Sequence, residues 1–144
     1  EVVTRLMTGE RVSFAGAHVS LHEAQMLPVP VQRPHPPIWI GGSGQRRTLP
    51  IAARYADAWH TWGAPDQLAM LSRHLDELAA QVGRDPSSIL RASSLSLSEP
   101  LDQVRHNIDA MQNVGIGYLV CGWPGEGPER VQEFATQVMP EYAD

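Results

Sequence analysis

The sequence predicts an α/β fold: a short opening segment, then four consecutive β-then-α units whose strands run parallel. Three observations predict it. Two stretches, "PDQLAMLSRHLDELAAQVG" and "EPLDQVRHNIDAMQNVG", repeat apolar residues at helical spacing. Four short apolar runs, "PIWIG", "DAWHT", "SILRASSLSLS" and "IGYLVCGW", each precede a helical stretch. Glycines and prolines, twelve of each, stand at the junctions between apolar segments. Strict alternation makes each helix carry the chain back across the sheet, so the strands are parallel.

Residues 1–8 read as the tail of a helix, with Val2, Val3, Leu6 and Met7 on one side and Gly9 as the stop. "RVSFAGAHVSLHEA" alternates around Ala15-Gly16, which suggests a small hairpin of Val12–Phe14 and Val19–Leu21. "MLPVPVQRPHPP" carries five prolines, so it is an extended connector rather than a helix or a central strand. The chain is thus expected to be one partial domain: 1–36 as helix tail, hairpin and connector, and 37–144 as the four βα units.

"PIWIG" reads as a short strand of the buried type, and "QRRTLPIAARYA" is helical in its later part. Pro50 there would break or bend a helix beyond its first turn, so either the helix starts near Thr48 after a longer loop or it is kinked. "DAWHT" is the second strand. In the helix that follows, Leu68, Leu71, Leu75, Leu78 and Val82 face inward, Pro65 suits the first turn and Gly83 the stop. "SSLSLS" reads as a half-buried strand. The next helix turns Leu101, Val104, Ile108 and Met111 inward and ends at Gly115. After the fourth strand, the last helix turns Val131, Phe134, Ala135 and Val138 inward.

Four units allow a small open doubly wound sheet or half of an eight-unit barrel of about 250 residues. The opening helix tail favours the half-barrel, because its own strand would lie upstream of Glu1. A start on Glu1 rather than Met reads as a processed, tagged or truncated product.

Composition narrows the function. A hydrophobic share of 42% and a charged share of 19% read as a soluble globular protein. A net charge of −5 argues against a nucleic-acid partner. No apolar run reaches the roughly 20 residues that span a bilayer, and no signal-peptide pattern is present. The single Cys121 cannot form an internal disulfide, and a cytoplasmic setting is expected.

The candidate site is the turn Gly41, Gly42, Ser43 and Gly44, between the first strand and its helix. Amides at a helix start lack internal partners and the macrodipole is positive there. An anion docks well at such a place, and glycines allow close approach. Ser43 could add a hydroxyl, and Arg46 or Arg47 a charge. The turn fits neither nucleotide-binding glycine motif, and a tight turn with nothing bound is the plain alternative.

His60 and Trp62 fall on one side of the second strand's end, with Trp59 and Thr61 on the other. His60 could donate to a phosphate, act as acid or base, or simply pack; no residue is assigned a catalytic role. Asp57 is expected to cap or to pair with Arg54 or Arg47. Trp123 could contact substrate at the last strand's end, or act as a lid. Cys121 is expected to pack as a small apolar residue. His18 and His22 lack a third ligand, so no metal is expected. His74 and His106 read as solvated, and His35 has no obvious partner.

"VQRPHPPIWIGGSGQRRTLPIAARYADAWHTWG" resembles the signature stretch of the bacterial-luciferase-like flavin oxidoreductases, and the likeness continues through "VGRDPSSI", "NVGIGYLVCGWPG" and "FATQVMPEY". The resemblance implies a TIM-like (β/α)8 barrel of which this chain is the C-terminal half. It implies FMN or a 5-deazaflavin coenzyme (F420), an oxidoreductase or monooxygenase activity and a small-molecule substrate. It implies that Gly41–Gly44 holds the coenzyme phosphate, with His60, Thr61 and Trp62 beside the phosphate and ribityl chain. Acid and base groups in that family come mostly from the first half. The chain alone is therefore expected to be inactive, and to close its open edges as a homo-oligomer or with the missing N-terminal half. The alternative is a noncatalytic flavodoxin-like module that binds a phosphate ligand or a protein.

Overall fold

The computed structural model describes residues 2–143. The chain divides into two compact units, one up to Pro37 and one from Ile38 on.

In the first unit, helix α1 (Val2–Met7) ends at Gly9, whose φ of +86° closes the turn. An antiparallel hairpin follows, β1 (Val12–Ala15) and β2 (Ser20–Ala24), with Phe14 opposite Leu21 and Ala15 opposite Ser20. The expected second strand, Val19–Leu21, is displaced toward the C-terminus. Gly16 N–H donates to the Val19 carbonyl at 2.9 Å, so Val19 closes the turn instead of joining the ladder. His18 sits in that turn and His22 in β2, so the two do not share a strand face. Residues 25–37 hold neither helix nor strand, as five prolines dictate. His35 Nδ1 lies 2.9 Å from the Pro36 carbonyl, a partner the sequence did not suggest.

The second unit alternates strand and helix: β3 (Trp39–Gly41), α2 (Thr48–Tyr55), β4 (Ala58–His60), α3 (Pro65–Gln81), β5 (Leu90–Leu95), α4 (Leu101–Asn113), β6 (Tyr118–Cys121) and α5 (Pro128–Gln137). The strands are parallel and lie in sequential order β3-β4-β5-β6. That order has no switch point, which a doubly wound sheet would require. α2 starts at Thr48. Pro50 is therefore its third residue, where the missing N–H costs nothing, and a loop of residues 42–47 precedes it.

Strand periodicity sorts the sheet's two faces. Trp59 and Ile40 turn toward α2 and α3, in a cluster with Leu49, Ala52, Leu71, Leu75 and Ile89. Leu95 and Leu119 turn toward α4 and α5, in a cluster with Val104, Ile108, Phe134 and Val138. All four helices thus cover one face, as in a βα barrel. Val82, expected inward, is 43% exposed, because it lies past the last turn of α3 and forms its C-cap.

The other face is open. It presents Trp39, Gly41, Ala58, His60, Leu90, Ala92, Ser94, Tyr118 and Val120, in register across the sheet. Trp39 is 46% exposed, which corrects the reading of "PIWIG" as a buried-type strand. Its Ile40 packs on the helix side. Trp39 and Tyr118 sit on opposite edge strands, which a flat sheet would hold about 14 Å apart. Their ring centroids are nonetheless 5.3 Å apart, edge to face. The sheet is curled, and Ala58 and Ala92, which pair with Trp39 and Tyr118 on the same face, are buried.

Candidate functional site

The C-terminal ends of the four strands carry the polar turns. At β3, Gly42 N–H donates to the His60 carbonyl at 2.9 Å, extending the β3–β4 pairing by one residue. The Gly42 carbonyl accepts from the Trp59 indole N–H at 2.9 Å, and that indole is fully buried. These two bonds hold Gly42 at φ +118°, a conformation that L side chains rarely adopt. Two residues on, the Thr48 hydroxyl lies 2.8 Å from where a Gly44 Cβ would stand, so Gly44 also excludes a side chain.

Beyond Gly42 the backbone is free. The N–H groups of Ser43, Gly44, Gln45, Arg46 and Arg47 donate to no other described residue, and all five residues are exposed. The loop's carbonyls are used differently: Gly44 accepts from Leu49 N–H at 3.0 Å and Arg47 from Ile51 N–H at 3.2 Å. Five amides without a partner among the described residues thus precede the N-terminus of α2. Neither Arg46 nor Arg47 makes an ion pair with a described residue. Of the four residues singled out in the turn, Gly42 has committed its amide to the sheet. Ser43 and Gly44 keep theirs, and Gln45 to Arg47 enlarge the set, because Pro50 delays the helix.

At β4, His60 projects onto the open face beside Gly41. Its Nε2 lies 3.1 Å from Ser94 Oγ of β5, and its ring is 6.1 Å from that of Trp62, tilted by 57°. Trp62 is 66% exposed. Thr61 is buried on the helix side with Trp59, its N–H donating to the Ala92 carbonyl, so its side chain is not presented with the other two. Asp57 makes no ion pair with Arg54 or Arg47. Its Oδ2 accepts from Ile38 N–H at 2.7 Å and fixes the start of β3 beside β4.

At β6, Trp123 is 74% exposed over a shallow recess of about 360 Å³ that Ser94, Ser96, Val120 and Gly122 also line. Cys121 is exposed, a correction to its reading as a packed apolar residue. It ends an edge strand and has a neighbouring strand, at Leu95, on one side only. Partial desolvation pushes its thiol up from the ordinary value, which disfavours the reactive thiolate. The loop beyond is acidic. Glu126 is held below the ordinary carboxylate range by its own backbone N–H and by the Ser98 hydroxyl, and Arg130 is paired with Glu133. The charged side chains of the strand-end loops are therefore cationic after β3, at Arg46 and Arg47, and acidic past β6, at Glu126.

A recess of about 940 Å³ lies at the opposite end of the strands around Arg73, Asp76 and Arg91. Arg91 there is buried, and its guanidinium is spent on Asp76, Ser72 and the carbonyls of Pro86 and Ile89. It is a structural tie between α3 and β5, and its place inside a strand was the only hint of it in the sequence. No group of three or more potential metal ligands occurs among the described residues.

Sequential parallel strands with all four helices on one face define a βα-barrel type of fold. The chain belongs to the luciferase-like monooxygenase family, whose model matches residues 1–118. Three solved structures share the fold at low identity. A coenzyme F420-dependent tetrahydromethanopterin reductase from Methanopyrus kandleri is 14% identical with a TM-score of 0.81, over 99% of this chain and 61% of that one. An F420-dependent secondary alcohol dehydrogenase, solved with an F420-acetone adduct, is 18% identical at TM-score 0.80, over 99% and 59%. A monooxygenase from Streptomyces bottropensis is 18% identical at TM-score 0.76, over 98% and 59%. The chain thus spans about three fifths of the length of each. None of its described helices is long and apolar enough to cross a membrane.

Proposed function

We propose that this chain forms the phosphate-binding part of a coenzyme site in an oxidoreductase that uses FMN or coenzyme F420. One observation carries the reading: five consecutive amides of exposed residues without partners among the described residues, next to two guanidinium groups that make no ion pair with a described residue, in a chain of net charge −5. Unpaired N–H groups at a helix start are suited to a phosphate, and the missing side chains at Gly42 and Gly44 let it come close. Family membership supports the choice of coenzyme class, as do structural neighbours whose names include F420 and modified FMN.

In this reading Ser43, Gly44 and the amides through Arg47 hold the phosphate. The Arg46 and Arg47 side chains neutralise it. His60 and Trp62 stand beside the chain that links phosphate to ring. The bound ring supplies electron or hydride transfer. On the open face the titratable strand residues are His60 and Tyr118, which is little with which to handle a substrate proton. The chain on its own therefore binds coenzyme without turning over a substrate.

The test is a comparison of ligands that differ in the phosphate alone. FMN is expected to bind at least tenfold more tightly than riboflavin, followed by flavin fluorescence. The difference should shrink in Arg46→Ala/Arg47→Ala, which keeps the amides and removes the neutralising charge. Equal affinity for FMN and riboflavin, together with equal affinity for F420 and its phosphate-free deazaflavin core, would overturn the reading.

A further inference from the structure

We infer that Ser94 is a positioning residue for His60. Its hydroxyl donates to the imidazole Nε2 and keeps the ring proton on Nδ1. On the coenzyme reading above, from which the ligand is taken, that N–H serves the hydroxylated chain between phosphate and ring. Register gives the first indication. In the β4–β5 ladder the residue opposite His60 is Ala92, not Ser94. Ser94 lies two residues further on, about 7 Å along the strand. His60 Nε2 is nonetheless 3.1 Å from Ser94 Oγ, within hydrogen-bond range. The imidazole therefore leans toward the strand C-termini, the end that carries the glycine turn.

Three groups fix it there. The His60 carbonyl accepts from Gly42 N–H at 2.9 Å, which ties its backbone to that turn. Trp62 flanks the ring at 6.1 Å, tilted by 57°. Ser94 bonds the ring itself. Its neighbours Ser93 and Leu95 are buried on the helix side, so strand alternation puts the Ser94 hydroxyl on the His60 face. The strand positions of that face hold no carboxylate, so no acidic group there competes for the ring. A neutral imidazole has one nitrogen that donates and one that accepts, and the bond made by one decides the role of the other. Ser94 Oγ makes no other hydrogen bond to a described residue, so its O–H is free to donate to Nε2. Nδ1 then keeps the proton, and a donor at Nδ1 suits a chain of hydroxyls that ends in a phosphate.

The experiment has two arms. In the free, isotope-labelled chain at about pH 8.5, where ordinary histidines are neutral, imidazole nitrogen shifts report which nitrogen carries the proton. Nδ1–H is expected in the parent and in Ser94→Thr, and a shift toward Nε2–H in Ser94→Ala. The second arm is flavin binding by fluorescence. Ser94→Ala should weaken FMN and riboflavin alike by about three- to tenfold, the worth of one hydrogen bond, and Ser94→Thr should restore both. In a His60→Ala background, removing the Ser94 hydroxyl should cost nothing more, because Ser94 acts through His60. Far-UV circular dichroism and urea midpoints show whether the variants fold. The proton on Nε2 in the parent would overturn the inference. So would parent-like binding by Ser94→Ala, or its full loss persisting in His60→Ala. The two readings fail separately. A Ser94→Ala loss confined to phosphate-bearing ligands sinks the role given to Ser94 alone. Affinity equal for FMN and riboflavin, and for F420 and its phosphate-free core, sinks the phosphate site and leaves the His60 spectrum as expected.

Discussion

Replacing Gly42 by alanine tests the geometry of the turn directly. Space is not the obstacle, since the new Cβ would meet Thr48 Cγ2 at 3.5 Å, an ordinary contact. The backbone is the obstacle. A φ of +118° is disfavoured for an L side chain and costs on the order of 1–3 kcal/mol. The chain cannot relax by rotating, because doing so breaks two hydrogen bonds, one to the His60 carbonyl and one from the Trp59 indole, both 2.9 Å. Each is worth about 0.5–1.5 kcal/mol net, comparable to the strain. Gly42→Ala is therefore expected to lose about 1–3 kcal/mol whichever way it responds. In urea denaturation this appears as a lower midpoint with an unchanged slope. Ser43→Ala, one residue on in the unpaired segment, should stay within about 0.5 kcal/mol of the parent. Equal stability of Gly42→Ala and the parent, or an equal loss at both positions, would refute the reasoning.

Further predictions follow from neighbouring groups. Gly44→Ala collides with the Thr48 hydroxyl, so Thr48→Ala should recover part of its loss, with a coupling of about 1 kcal/mol in a double-mutant cycle. Trp59→Phe leaves the Gly42 carbonyl without its donor and a gap in a fully buried site; about 2–4 kcal/mol should be lost in the same denaturation assay. Ser93 Oγ is buried without a partner among the described residues, so Ser93→Ala should be neutral or stabilising by up to about 1 kcal/mol. Arg105 donates to both oxygens of Glu141 and holds that carboxyl below its ordinary value of 4.5. A depressed folded value means that the contribution is complete above about pH 4.5 and fades as pH falls through the folded value. Amide exchange at Tyr142 should speed up below that point, and Glu141→Gln should remove the pH dependence.

Much of the βα series was legible because its signals are local. The leucines of α3 and the valine and isoleucine of α4 mark their buried sides by spacing alone, and Pro50 correctly offered a late start for α2. The exposure of Trp39 was not legible. A three-residue apolar run looks the same whether one face or both are covered, and only the side on which the helices pack decides. The His60–Ser94 contact likewise depends on β4 and β5 register, with Ala92 opposite His60 and Ser94 two residues further along. The extension of the amide set to Arg47 follows from where Pro50 sits, yet it could be stated only once the helix start was known. Of the two roles open to Asp57, capping or pairing with Arg54 or Arg47, its carboxylate takes a backbone N–H, that of Ile38, a choice that composition cannot reveal.

A titration of the isotope-labelled chain with inorganic phosphate, read by amide nitrogen–proton correlation spectra, bears most directly on the anion site. The account predicts saturable shifts at Ser43, Gly44, Gln45, Arg46 and Arg47, with Gly42 moving little because its N–H is already bonded within the sheet. Shifts centred on the Arg73 and Arg91 recess, or none at the five loop amides up to millimolar phosphate, would contradict it.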